Sequence, residues 1–229
     1  MDTAAAIRAE LAALPVRDTS SMRAVRRRWS RTLKAASGSE MLETALALHR
    51  TGPRWIAEEL IRHHPAAFAR IGDAEVEAMA QGLDSWGAVD AFGTILAGPA
   101  WAAGQVSDDV IWGWARSPDR WLRRTALVCT TALGRADAER ALALCQALAA
   151  DRDAMVEKAL SWALRALAMR DRAAVEAFLD AHAESLAARV RREVGNKLRT
   201  GLKTPKSSPA GGGGPRSGGG GSRRPTRRA

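Results

Sequence analysis

Apolar positions recur at spacings of three and four from the first residues to about position 200, the pattern of helices that each bury one face. Ala, Leu, Arg and Glu dominate these stretches, and all four favour helix. No segment alternates apolar with polar residues over a β-branched run, so strands are not expected. Glycines, prolines and capping residues cut the pattern into about twelve helices. The first is predicted from Ala4 to Leu14, ended by Pro15. The second runs from Ser21 to Ala36, capped by Ser20 or Ser21 and stopped by Gly38. A third, Ser39 to Arg50, is capped by Ser39. Pro53 opens a fourth that reaches about His64, and Asp73 to Gln81 follows. Asp84 or Ser85 caps a helix from Trp86 to about Leu96, ended at Gly98-Pro99. Ser107 caps one through Trp114, and Ser117-Pro118 starts one reaching Leu133. Asp137–Ala149, Asp153–Met169, Arg172–Ala181 and Ser185–Arg199 complete the set.

Short links and pairs of roughly 35–45 residues predict an all-α, HEAT-like helical-repeat solenoid, a curved superhelix of antiparallel helix pairs. The sequence repeat itself is weak, and a compact irregular bundle is the alternative. The solenoid is expected over residues 1–202. From about Thr204 the composition turns to Gly, Ser, Pro and Arg, which cannot bury enough apolar surface to offset ordering entropy. Residues 203–229 are therefore expected to form a disordered basic tail that adds salt-sensitive phosphate contacts.

Charge sharpens this picture. Of the net +10, seven charges lie after residue 202, where there is no acid, which leaves +3 for the body. Within the body, residues 1–34 carry eight Arg or Lys against three acids, and Arg26-Arg27-Arg28 is a local block. A polyanion partner is one reading, and a solvated cationic face the other. Cys129 and Cys145 sit in apolar helical runs, as buried thiols of a reducing compartment would. No signal-peptide pattern and no apolar run of about 18 residues is present, so a cytoplasmic, nucleoid-associated protein is expected. His49, His63, His64 and His182 lack metal-ligand spacing and are expected at the surface or at caps, so no metal and no cofactor are expected.

Three stretches carry candidate chemistry. Trp86 and Asp90 are four apart and share one helix face, where an indole beside a carboxylate would receive a developing cation. A core Trp with a surface Asp is the plain alternative. In Trp121-Leu122-Arg123-Arg124-Thr125-Ala126, two adjacent arginines face different ways. One can pair with an acid inside the solenoid while the other meets solvent or phosphate. Lys158, Trp162 and Arg165 form a stripe at i, i+4, i+7, set apart from apolar Val156, Leu160, Ala163, Leu164 and Leu167. An aromatic between two cations is a nucleic-acid contact strip, or else a Trp lying over a helix groove.

Taken in order, these stretches resemble the DNA alkylation repair family of HEAT-like glycosylases, the AlkD type. That family shows W-x-x-x-D, then W-x-x-R-[TA]-A, then K-A-[IL]-x-W-x-L-R, over roughly residues 20 to 200 here. Arg191-Arg192-Glu193 is similar to the R-R-E of its last helix. The resemblance implies removal of positively charged N3- or N7-alkylated purines from duplex DNA, with Trp86 and Trp162 cradling the deoxyribose and Asp90 stabilising the cationic sugar. It implies Arg124 on the phosphate backbone, with Arg123, Lys158, Arg165, Arg191 and Arg192 as further DNA contacts. Such a protein would act as a monomer without metal or cofactor. Family members often carry a Tyr near the N-terminal part of the site. This chain has none, and Trp29 or Trp55 are the candidates to replace it. The competing function class is a noncatalytic HEAT-like module that binds DNA or a protein partner.

Overall fold

The computed structural model describes residues 2–205. Residues 206–229, the greater part of the expected tail, lie outside the described residues. Among the described residues the chain is helical throughout, with no strand. Its helices are α1 (Thr3–Ala12), α2 (Thr19–Thr32), α3 (Gly38–Thr51), α4 (Arg54–Arg62), α5 (Pro65–Phe68), α6 (Asp73–Ala80) and α7 (Trp86–Phe92). There follow α8 (Gly98–Ala102), α9 (Asp108–Ala115), α10 (Arg120–Cys129), α11 (Ala138–Ala147), α12 (Ala154–Leu167), α13 (Arg172–Ala181) and α14 (Ala188–Thr200). Among the described residues, no helix is long and apolar enough to cross a membrane.

The helices stack in two rows, the repeat-like arrangement that the periodicity predicts. In one row, α2, α4, α7, α10, α12 and α14 each pack on the next. Behind it lie α1, α3 and α5, packed in sequence, and then α9 with α11. A continuous core fills the space between, from Ile7 and Leu48 through Phe92, Trp101 and Leu127 to Leu164 and Val194. All the candidate chemistry comes from the first row, called the cleft row below.

The observed ends correct several predicted ones. Asp18, not Ser20 or Ser21, caps α2, its carboxylate accepting from the Ser21 N–H at 2.8 Å. Ser37, not Ser39, caps α3, because only Ser37 stands three residues before Glu40 and closes a reciprocal capping box with it. Gly38 is thus a first-turn residue and not a stop. Asp119 caps α10, accepting from Trp121 N–H at 2.8 Å. The short α5 was hidden in a His-Pro link. It is capped by His64, whose Nδ1 accepts from Ala67 N–H at 3.2 Å.

The largest correction concerns Gly98-Pro99, which does not end its helix. A π-helical segment, Gly93–Ala97, joins α7 to α8, with the Gly98 N–H reaching the Gly93 carbonyl five residues back. The wide turn resets the register. Pro99 then falls in the first turn of α8, where a missing N–H costs nothing. Tertiary packing requires the two glycines. A Cβ on Gly93 would stand 2.7 Å from Val128 Cγ1, and one on Gly98 would stand 2.9 Å from the Cys129 carbonyl oxygen. These contacts let α7 lie against α10, which brings Asp90 within reach of Arg124.

Candidate nucleic-acid cleft

Neighbouring helices of the cleft row are tied by buried arginine–carboxylate pairs. Arg26 of α2 donates through Nε to Glu59 of α4 at 2.9 Å. Arg124 of α10 grips Asp90 of α7 with a full fork, Nε to Oδ1 at 2.9 Å and Nη2 to Oδ2 at 2.9 Å. Its Nη1 donates to the Met155 carbonyl at 2.5 Å, which adds α12 to the joint. Arg165 of α12 donates to Glu193 of α14 at 2.9 Å. A bidentate, charge-assisted fork fixes the carboxylate plane as well as its position.

Arg123, one residue from Arg124, points elsewhere around α10. It pairs with Asp151 at 2.7 Å and donates to the carbonyls of Ser117 and Pro118. Both adjacent arginines are therefore held by internal partners, although the sequence alone suggests one inward and one outward. The basic block of α2 is also partly internal. Arg26 serves Glu59, and Arg28 pairs with Glu10.

Two adjoining cavities open along the cleft row. One, of about 240 Å³, is bordered by Trp86, Arg124, Lys158, Trp162 and Arg165, with Met155 and Lys203 completing it. The other, of about 370 Å³, holds Asp90 and Trp162 with Gly87, Ala91, Thr94, Ile95, Trp55, Arg23 and Thr19. Trp162 is the shared wall. The i, i+4 relation places Trp86 and Asp90 on the same side of α7, with Trp86 63% exposed over the opening. Lys158 is exposed and meets no acid among the described residues. Trp86, Asp90, Arg124, Lys158, Trp162 and Arg165 thus share one cleft.

Arg191 and Arg192 are exposed on α14. Arg191 is roughly 200° around the helix from the inward Glu193, so the two project to opposite sides. Glu193 itself is the residue of that motif that enters the site. It accepts from the Ser161 hydroxyl at 2.7 Å and from Arg165 and Lys203. Burial by itself raises its carboxyl, but the Ser161 hydroxyl, Lys203 and Arg165 together hold it below the usual glutamate range.

The local patterns read from sequence do not reveal Arg23 and Lys203, offer Trp55 without placing it, and give Glu193 only as part of the last-helix motif. Trp55 lies in the Asp90 cavity with the Arg23 guanidinium 5.5 Å from its ring centre, and Glu59 neutralises Arg23 at 2.7 Å. Trp29 turns away and donates its indole N–H to Glu10 at 2.8 Å. The surplus of Trp over other aromatics was the available signal for a further indole in the site. Other reactive types stand apart. Cys129 and Cys145 are buried, free, and pushed up by desolvation. His49, expected at the surface or at a cap, is buried 3.7 Å from Glu58. Among the described residues, no cluster of His, Cys, Asp or Glu could hold a metal ion.

The arrangement combines one oriented carboxylate, indoles lining both cavities and unpaired positive charge at the rim. It suits a ligand that is anionic along its length and becomes cationic at one point. Consistent with that, the family model described as DNA alkylation repair enzyme matches residues 11–198. No curated protein and no solved structure matches the chain.

Proposed function

We propose that this chain, which belongs to the DNA alkylation repair enzyme family, is a glycosylase that hydrolyses the N-glycosidic bond of positively charged N3- or N7-alkylated purines in duplex DNA. The observation that carries the proposal is the Asp90 carboxylate, clamped by Arg124 yet 22% exposed toward a cleft flanked by indoles.

An alkylated purine already bears a positive charge. When its bond to C1′ breaks, both electrons go to the ring nitrogen, the base leaves neutral, and no general acid is needed. The barrier that remains is the oxocarbenium-like sugar. Asp90 stabilises that charge across the cleft, and the faces of Trp86 and Trp162 add cation–π attraction worth up to about 2 kcal/mol where water is excluded. A water held by Asp90 adds its oxygen to C1′ and gives up a proton, and the products are free base and an abasic site. Arg124 fixes the carboxylate and borders the adjoining cavity, in which the backbone phosphate lies. Lys158 and Arg165 contact flanking phosphates. Arg191 and Arg192, exposed on α14, supply longer-range positive potential, whereas Arg123 is neutralised by Asp151 and serves as a helix tie.

Incubation with methylated duplex DNA tests this reading directly. Free N7-methylguanine is expected with wild-type protein. Asp90→Asn is expected to slow its release by about 10²–10³-fold, the loss seen when one preorganised electrostatic group is removed. Binding without base release overturns the glycosylase reading and favours a noncatalytic DNA-binding module.

A further inference from the structure

We infer that Lys203, on the turn that follows α14, completes with Lys158 and Arg165 a subsite for a DNA backbone phosphodiester at the Trp86 end of the cleft. This rests on the DNA-repair reading above but reaches outside it, since the family match ends at residue 198. The sequence placed residue 203 at the start of a disordered basic tail that makes nonspecific, salt-sensitive phosphate contacts. The structure instead turns the chain back onto the site. Gly201 takes φ +74°, a left-handed conformation that glycine adopts without strain, and its N–H reaches the Lys197 carbonyl at 2.9 Å. Lys197 Nζ donates to the Gly201 carbonyl at 2.8 Å, and Asn196 Nδ2 donates to the Lys203 carbonyl at 3.2 Å. These bonds pin the backbone of Lys203 and direct its side chain to the cleft wall.

There Lys203 Nζ stands 3.4 Å from Glu193 Oε2, an oxygen already served by Ser161 at 2.7 Å and Arg165 at 2.9 Å. Of the three partners Lys203 is the longest and the most exposed, at 52% of its side chain. Glu193 can release it and remain satisfied. A phosphodiester entering between Lys158 and Arg165 therefore meets, on the same cavity wall, an ammonium that Glu193 can spare. The cavity wall carries Arg124, Lys158, Arg165 and Lys203, while Asp90 and Glu193 are the acids that pair with them, so the rim keeps an excess of positive charge. Lys203 touches neither the sugar nor the base, so its contribution is to binding.

The test uses the full chain and a methylated duplex, with affinity measured across a salt series and base release followed at subsaturating and saturating protein. Each phosphate contact contributes about 0.9 to the slope of log affinity against log salt. Lys203→Gln is expected to reduce the slope by about that amount, and to cost more base release at subsaturating than at saturating protein. Lys203→Arg is expected to keep the wild-type slope. Arg50→Gln, an exposed cation on α3 in the back row, serves as the control and should not alter it. A Lys203→Gln slope equal to wild type overturns this subsite alone. Wild-type protein that fails to bind the duplex overturns the repair reading and this inference with it.

Discussion

Two arginine–carboxylate pairs in the cleft row have the same chemistry and different fates. At the N-terminal end, Glu59 takes Arg26 on one oxygen and Arg23 on the other, at 2.9 and 2.7 Å, and is only 7% exposed. At the centre, Asp90 takes a single guanidinium, Arg124, and stays 22% exposed. Glu59 is enclosed between helices and works as a staple. Asp90 is held from behind and open in front. The contrast shows how one interaction type, repeated along a helical stack, becomes a site where the acid is the partner that faces the opening. It also explains why arginine supplies the clamp, because its planar fork orients the carboxylate in a way that a lysine point charge cannot.

The comparison can be broken from the staple side. Glu59→Gln leaves two guanidiniums without their counter-charge, one of them buried, and should cost about 3–5 kcal/mol in urea unfolding. The rate of base release per folded molecule should change only a few-fold. An equal loss of release and stability would erase the distinction from Asp90, for which the larger effect is expected on release. The shared wall gives the next largest effect. Trp162→Ala removes an indole from both cavities, with an expected penalty of about 1–3 kcal/mol, roughly five- to 150-fold in base release. Trp162→Phe should recover part of it, and single-turnover kinetics would show whether the loss is in binding or in the chemical step.

The third pair, Arg165–Glu193, sharpens the comparison through pH. The Glu193 carboxyl is held below its ordinary range in the folded chain. Its stabilisation is therefore complete above the unfolded value of about 4.3 and is lost as pH falls through the lower, folded value. Thermal melts of wild type and Glu193→Gln should differ most near neutral pH and converge in acid below about pH 4.3. A gap that widened in acid would contradict the depressed carboxyl. This is the smallest of the expected effects, because one carboxylate among three charged or polar partners is changed.

Much of the fold was legible because it is local. Helical periodicity, caps and breakers act within a few residues, so the helices lie close to where the pattern puts them. The pattern misled at Gly98-Pro99, where two strong breakers are absorbed by a π turn, since the neighbouring helix needs the small faces of Gly93 and Gly98. Within the site, Trp86 with Asp90 and Lys158 with Trp162 and Arg165 could be read as faces of single helices. Trp55 could be named but not located.

The sequence by itself determined that this chain is a stack of helices, which residues share a helix face, and where positive charge collects. Each of these follows from spacing along the chain. Tertiary structure alone decided who pairs with whom. Arg124 meets Asp90 across 34 positions, Arg165 meets Glu193 across 28, and Lys203 returns to the cleft through a left-handed glycine. Such pairings depend on how one helix lies against the next, and that is set by packing between side chains distant in sequence.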